Sequence, residues 1–124
     1  MFFKAGNNRK IGTEKEKKAG RYLETQGYHI LEYNFYSRYG EIDLVAKDGE
    51  YLVFAEVKYR SSEKNGYPEE AVDTRKRKKI IRTAQFYLLK NGLSVDIACR
   101  FDVVVILKDE VRLIKDAFCV DGYF

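Results

Sequence analysis

The chain has 124 residues, the length of one domain, with 45% hydrophobic and 34% charged residues. A single proline and the lack of any low-complexity tract exclude a disordered or collagen-like protein. The formal net charge of +4 and a pI of about 9.0 permit polyanion partners without demanding them. We therefore expect one soluble domain over residues 1–124, with residues 1–11 flexible.

The sequence carries no signal for export or membrane insertion. No run approaches the roughly 20 apolar residues that span a bilayer, and residues 1–12 lack the apolar stretch of a signal peptide. The sequence has two cysteines, Cys99 and Cys119, and one histidine, His29. These are too few for a zinc framework or a disulfide scaffold. We therefore expect a cytoplasmic protein with no membrane partner.

Hydrophobic spacing and turn residues predict two helices and five strands. A first helix is expected over about 13–25, with Gly27 just past its end. The strand-like runs are 28–35, 41–46 and 51–59 before the second helix, and 100–107 and 111–114 after it. The second helix is expected over about 74–90, capped by Asp73 or Thr74, and residues 61–70 form the longest loop. The order αβββαββ indicates an α/β protein.

The first helix carries a carboxylate in an apolar line. Glu16, Ala19 and Leu23 follow helical spacing and share one face. Glutamate is unusual on a face that should pack against the fold. Glu16 is therefore either a site residue or an ordinary capping or surface group.

Two carboxylates and a lysine are expected to converge on the second and third strands. With Asp48-Gly49 as the centre of the turn, Asp43 lies opposite Phe54 and Glu56 is its diagonal neighbour on the same face. Lys58 points to that face too, because it lies two residues beyond Glu56.

Like charges placed together destabilise the fold unless a cation neutralises them. Mg²⁺ or Mn²⁺ takes one or two carboxylates plus water and phosphate oxygens, which makes Asp43, Glu56 and the backbone carbonyl of Val57 candidate ligands. Lys58 could orient or deprotonate an attacking water, or stabilise charge on a phosphate. These parts suffice for phosphodiester hydrolysis. The alternative is the ordinary charged–apolar alternation of a half-exposed strand.

The spacing resembles the PD-(D/E)XK nuclease motif. Glu41-Ile42-Asp43 is followed after twelve residues by Glu56-Val57-Lys58, with Ile42 where that motif often has proline. Nearly the whole chain resembles the bacterial YraN-like family. The motifs that carry this resemblance are Gly12 with Glu16 and Ala19, Tyr22-Leu23, residues 40–44, residues 54–58 with Arg60, Lys76, residues 100–104 and residues 114–118.

The resemblance implies a restriction-endonuclease-like αβββαβ core, a central mixed sheet flanked by helices, similar to archaeal Holliday junction resolvases. Carried over by position, the catalytic helix glutamate, aspartate, glutamate and lysine fall on Glu16, Asp43, Glu56 and Lys58. Glu16 would then complete the site as a further metal ligand or base. The implied activity is a metal-dependent DNA endonuclease using Mg²⁺ or Mn²⁺ on branched or structured DNA. Junction cleavage needs two sites on opposed strands, which favours a homodimer.

Basic residues are concentrated on the second predicted helix, and residues 74–95 contain no acidic residue to balance them. Its apolar stripe, Ile80, Ile81, Ala84 and Leu88, should face the sheet and leave the charges outward. The expected DNA-contacting residues are Lys15, Lys18, Arg60, Ser62, Lys76, Lys78, Lys79 and Arg82. A charged, solvated face explains the same pattern without DNA.

Two other functions stay open at this point. One is a non-catalytic nucleic-acid-binding module on the same fold. The other is a protein-interaction adaptor in DNA repair or uptake, whose basic helix docks an acidic partner.

Overall fold

The computed structural model describes residues 13–60 and 73–119. The elements in chain order are α1 (Glu14–Thr25), β1 (His29–Ser37), β2 (Gly40–Asp48), β3 (Tyr51–Arg60), α2 (Thr74–Lys90), β4 (Cys99–Leu107) and β5 (Glu110–Phe118). The predicted helices and the first four strands are confirmed, with ends within about two residues. The predicted loop 61–70 and the predicted flexible segment 1–11 lie outside the described residues.

The five strands form one mixed sheet in the order β1-β2-β3-β4-β5. Neighbouring strands are antiparallel except β3 and β4, which are parallel and lie on either side of α2 in the sequence. A parallel pair needs a crossover connection, and a helix is the usual one. The arrangement is the expected αβββαβ core with a central mixed sheet flanked by helices, and β5 adds an edge strand.

Each face of the sheet is covered by one helix, so that strand residues alternate between two apolar cores. Ile80, Ile81, Ala84 and Leu88 of α2 are buried against the sheet, which confirms the predicted stripe. The α2-side core consists of those four residues and Phe35, Ile42, Val45, Leu52, Phe54, Tyr87, Phe101, Val103, Val105 and Phe118. The α1-side core consists of Ala19, Leu23, Tyr28, Leu44, Ala46, Val53, Ala55, Val57, Val104 and Ile106.

Both helices begin near the same end of the sheet. In the first turn of α2, the Lys76 ammonium lies 2.6 Å from Glu56, near the end of β3. In α1, the Lys18 ammonium donates to the carbonyl of Lys108, in the β4–β5 turn, at 3.3 Å. This end of the sheet therefore gathers charged groups from two helices and two strands. No helix within residues 13–60 and 73–119 is long and apolar enough to cross a membrane.

The last strand is longer than the sequence predicts. It was expected to end at Ile114, but β5 continues to Phe118. The register with β4 shifts between Phe101 and Val103, and Asp116 has a φ of +55°. The backbone N–H of Asp116 donates to the carboxylate of Asp102 at 2.9 Å. A side chain on β4 therefore satisfies the backbone where the bulge interrupts the ladder.

Asp102 is also the centre of a buried ionic network. It is fully buried, and it accepts a hydrogen bond from the Tyr28 hydroxyl at 2.7 Å and one from Arg100 Nε at 2.9 Å. Arg100 also donates to Asp48 at 2.7 Å, and this contact holds the pKa of Asp48 below its ordinary value. The network therefore connects β4 to Tyr28, to the β2–β3 hairpin and to β5.

Removing this buried charge is expected to destabilise the fold strongly. The Asp102→Ala variant should lose about 3–5 kcal/mol of unfolding free energy, because Arg100 and Tyr28 lose a buried acceptor. Urea denaturation measures the loss. The matched control is Glu14→Ala, which removes a carboxylate that is 88% exposed in its pair with Lys17 and should leave the midpoint nearly unchanged. Equal midpoints for the two variants would show that the network contributes nothing.

Candidate functional site

The β2–β3 hairpin turns one residue later than the sequence predicts. Asp48 pairs with Tyr51, so the turn consists of Gly49 and Glu50 rather than of Asp48 and Gly49. Gly49 has a φ of +63°, which glycine adopts at no steric cost. The predicted pairing between the strands is therefore shifted by two residues.

The shift brings the two carboxylates closer along the sheet. Val45, and not Asp43, lies opposite Phe54, so the predicted pairing of Asp43 with Phe54 is wrong. The regular ladder ends one pair before the level of Asp43 and Glu56. Because side chains alternate with a period of two, a two-residue shift leaves every predicted face unchanged. The predicted neighbourhood of Asp43 and Glu56 survives the wrong register for this reason.

The side-chain alternation of β2 reverses at Asp43. Ile42 packs in the α2-side core and Leu44 in the α1-side core, although residues two apart share a face in a regular strand. On β1, Asn34 lies between the residues paired with Leu44 and Ile42, and it has a φ of +52°. Asp43 therefore stands at a break in the pleat. Its Oδ2 accepts a hydrogen bond of 2.8 Å from the backbone N–H of Val57.

This hydrogen bond also defines where the Val57 backbone points. Val57 lies beyond the last pair of the β2–β3 ladder, and the Asp43 carboxylate takes its N–H. In an extended strand the N–H and C=O of one residue face the same edge. The Val57 carbonyl, a predicted ligand, therefore faces the edge beside Asp43.

Asp43 and Glu56 form a pair of carboxylates, of which Glu56 is buried and Asp43 is half-buried. Glu56 is only 5% exposed. Burial and the neighbouring Glu56 raise the pKa of Asp43 to about 8; Glu41 and Glu16 add to this rise, while the Val57 N–H opposes it. Additional positive charge at this point would offset both the burial and the repulsion.

Two lysines lie beside these carboxylates. Lys76 Nζ forms an ion pair with Glu56 Oε2, and although burial lowers the pKa of Lys76, the pair with Glu56 raises it overall. Burial and the nearby Lys76 lower the pKa of Lys58, against the effect of Glu56. Lys58 is therefore the lysine that gives up its proton more readily, while Lys76 stays charged. The sequence placed Lys76 only among the DNA-contacting residues.

A cleft of about 300 Å³ opens next to the carboxylates. Its walls come from the start of β2, from β3 and from the first turns of α2. The lining residues are Gly40, Glu41, Asp43, Glu56, Asp73, Arg75, Lys76, Lys79 and Ile80. The strands contribute three carboxylates, and the start of α2 contributes three cations and the carboxylate of Asp73, so both acidic and basic groups line the cleft.

Glu16 is buried, but its carboxylate is used within α1. Its Oε1 accepts a hydrogen bond of 2.9 Å from the backbone N–H of Thr13 and also contacts the Thr13 hydroxyl. This is the capping role that the sequence left open. Glu16 still contributes to the raised pKa of Asp43, so the two carboxylates interact electrostatically.

Among residues 13–60 and 73–119, no three His, Cys, Asp or Glu side chains are arranged to hold a metal together. The structure brings together Asp43 and Glu56 as a pair. The role of Glu16 as a third ligand stays a prediction.

The sequence analysis missed the β1–β2 turn. The Arg38 guanidinium lies over the Tyr39 ring at 5.1 Å, and that of Arg82 at 5.7 Å. The turn is held against α2 by a 3.1 Å hydrogen bond between the hydroxyls of Ser37 and Thr83. A basic aromatic group therefore directly precedes Gly40, which is one of the residues that line the cleft. The sequence shows the adjacent Arg38 and Tyr39, but only the packing on α2 reveals that Arg82 joins them.

The predicted DNA-contacting residues lie on several elements around this end of the sheet. Lys78, Lys79 and Arg82 are exposed on α2. On α1, Lys15 is exposed and Lys18 is half-buried against the β4–β5 turn. Arg60 is half-buried at the end of β3, and Ser62 lies outside the described residues.

The fold and site together define an α/β domain with paired carboxylates in a cleft of mixed charge at one end of its sheet. The model of the uncharacterised protein family UPF0102 matches residues 15–106. The chain therefore belongs to the UPF0102 family, which is the YraN-like family that its motifs resemble.

Full-length relatives agree with this assignment. A UPF0102 protein of Lachnoclostridium phytofermentans is 54% identical over 117 residues, with 94% of this chain and 98% of the relative covered. One from Persephonella marina is 48% identical over 110 residues, covering 89% and 94% of the two chains. One from Aliivibrio salmonicida is 46% identical over 122 residues, covering 96% and 98%.

The Asp43→Asn variant is expected to show a different dependence of stability on pH when divalent cations are absent. The pKa of Asp43 rises from 3.8 to about 8 on folding, so the native state binds the proton more tightly than the unfolded state does. The free energy of unfolding of the wild type therefore falls as the pH rises from about 4 to about 8. Asparagine stays neutral and keeps an oxygen for the Val57 N–H. The variant should therefore gain roughly 2 kcal/mol on the wild type at pH 9 and little at pH 4.

Urea denaturation in EDTA across this pH range measures the difference. The control is Asp109→Asn, an exposed aspartate in the β4–β5 turn, whose curve should run parallel to that of the wild type. If the curve of Asp43→Asn also ran parallel to that of the wild type, the raised pKa of Asp43 would be contradicted.

Proposed function

We propose that this protein is a metal-dependent endonuclease of the PD-(D/E)XK superfamily that hydrolyses phosphodiesters in branched or otherwise structured DNA. The observation that carries the proposal is the pair Asp43 and Glu56, which lines a cleft together with basic residues of α2 and interacts electrostatically with Lys58. Membership of the UPF0102 family is compatible with it but names no activity.

Asp43, Glu56 and the Val57 carbonyl would hold Mg²⁺ or Mn²⁺. The donor set fits, because these ions use one or two carboxylates and complete their shell with water and substrate phosphate. The raised pKa of Asp43 indicates that the pair lacks positive charge even with Lys76 in contact. The bound ion supplies Lewis acidity and a water of lowered pKa.

The remaining groups have roles that follow from their surroundings. The Val57 N–H fixes the orientation of the Asp43 carboxylate. Lys58, with its lowered pKa, orients the attacking water or accepts its proton. Glu16 serves as a further ligand or base if its carboxylate leaves Thr13.

DNA would lie across the end of the sheet where both helices begin. Lys76 and Lys79 line the cleft, and Arg38 and Arg82 both lie over the ring of Tyr39, the residue before Gly40 in its lining. The proposed contact surface also includes Lys15, Lys18, Lys78 and Arg60, and the predicted contact Ser62 lies outside the described residues. Contacts of this kind neutralise phosphates and give affinity without sequence choice. A homodimer would present two sites to the opposed strands of a junction.

The purified protein is expected to nick supercoiled plasmid and to cleave a four-way junction with Mg²⁺ or Mn²⁺, but not with EDTA. Asp43→Ala and Lys58→Ala should each lower the cleavage rate by at least about 100-fold, since each removes a group at the reacting centre. Gel assays measure the rates, and circular dichroism checks folding.

Lys47→Ala is the matched control, because this lysine is at the other end of β2, where it pairs with Leu52. It should cleave as the wild type does. Equal cleavage by all four proteins would reveal a contaminating nuclease and sink the proposal.

One observation favours the second candidate, a non-catalytic nucleic-acid-binding module. Glu56 already has an ammonium partner in Lys76, and Glu16 is satisfied by Thr13. DNA binding that is unchanged by Asp43→Ala, Lys58→Ala and EDTA, without any cleavage, would support this module.

Phosphate binding is expected to depend on Arg38 and Arg82. Removing both in Arg38→Ala/Arg82→Ala should weaken duplex or junction binding and reduce the slope of log K against log salt by about 2, since each phosphate contact contributes about 0.9. Fluorescence anisotropy at several salt concentrations gives the slope. Lys90→Ala, at the opposite end of α2, should leave it unchanged. Absence of DNA affinity at low salt would leave the protein-interaction adaptor as the function.

A further inference from the structure

We propose that Lys76 is a built-in counter-ion that a divalent metal displaces from Glu56, and that the released ammonium then binds the substrate phosphate. The inference rests on the proposed metal site. It assigns Lys76 a positioning role that links the binding of metal to the binding of DNA.

The two partners of this ion pair are buried to very different degrees. The distance from Lys76 Nζ to Glu56 Oε2 is 2.6 Å, and the side chain of Glu56 is 6% exposed while that of Lys76 is 43% exposed. Glu56 is therefore fixed inside the protein, whereas Lys76 reaches it from the open side of the cleft. Lys76 can leave without disturbing the core.

The backbone of Lys76 is anchored while its side chain is long. Lys76 occupies the first turn of α2, and its N–H donates to the N-cap residue Asp73 at 2.9 Å. A change of partner is then a rotation of the lysine stem alone. The ammonium can move within a cleft of about 300 Å³ that Arg75 and Lys79 also line.

The ammonium and a divalent ion compete for the same carboxylate. One ammonium brings a single positive charge, and it contacts Glu56 but leaves Asp43 to the Val57 N–H. A divalent ion brings two charges and can contact both carboxylates. Lys76 therefore lowers metal affinity without preventing binding.

A phosphate in the cleft changes this balance. It offers the displaced ammonium a new anionic partner, so bound DNA should keep Lys76 away from Glu56 and raise the affinity for metal. By linkage, metal should raise the affinity for DNA by the same factor.

The test is the affinity of metal-free, full-length protein for Mn²⁺, measured from the free-ion electron paramagnetic resonance signal and by calorimetry. Lys76→Met should bind Mn²⁺ about tenfold more tightly than the wild type. Lys79→Met removes the same charge from the same cleft and has no ion pair with Glu56, so it should bind nearly as the wild type does. Lys76→Arg keeps the counter-ion and should not gain affinity.

DNA binding tests whether the released Lys76 ammonium binds phosphate, and thermal melts show whether each variant is folded. The wild type should bind a short DNA duplex more tightly in Mn²⁺ than in EDTA, and Lys76→Met should lose most of this gain. In thermal melts, Mn²⁺ should raise the melting temperature of Lys76→Met by more than it raises that of the wild type.

The outcomes separate this inference from the proposed nuclease function. Equal Mn²⁺ affinities for Lys76→Met and Lys79→Met, with the wild type still binding Mn²⁺, would overturn the counter-ion role and leave the nuclease proposal standing. Failure of all proteins to bind Mn²⁺ would overturn both.

Discussion

The pairing of a buried carboxylate, Glu56, with a half-buried one, Asp43, is the main electrostatic constraint at one end of this sheet. Asp43 and Glu56 come together because β2 and β3 pair up to the residue before them, and burial, followed by repulsion from Glu56, raises the pKa of Asp43. The Val57 N–H, the Lys76 ammonium and the beginning of α2 supply a donor or positive charge nearby, whereas Glu41 and Glu16 add negative charge. The site is therefore organised around an excess of negative charge that the fold offsets only in part.

The beginning of α2 carries a second electrostatic cost. Arg75, Lys76 and Arg77 lie in its first turn, which contains no acidic residue, although the positive end of the helix dipole favours acids there. Asp73 offsets this only as the N-cap. Cations at the positive end of the helix dipole are stabilised by anions that lie in front of the helix. Glu56 supplies one within the protein, and the proposed DNA phosphates would supply the others.

Local signals made most of the fold predictable, and contacts distant in sequence account for what was missed. Helical spacing and cap residues such as Asp73 are local, so both helices were placed within a residue or two. The length of β5 depends on Asp102, fourteen residues away from the backbone it binds. The role of Lys76 depends on packing across α2 and β3. The carboxylate pair was predicted despite a wrong register, because a two-residue error preserves each face.

The chain buries aspartates in two ways, and the difference favours an external cation at Asp43. Asp102 is fully buried and is satisfied by Arg100, Tyr28 and the Asp116 backbone, all from the protein. Asp43 receives one backbone hydrogen bond and faces Glu56, and burial beside that carboxylate raises its pKa to about 8. A carboxylate with a purely structural role would be expected to find compensation as Asp102 does. The incomplete compensation of Asp43, at the wall of a cleft, is the physical reason to propose a divalent cation as its partner.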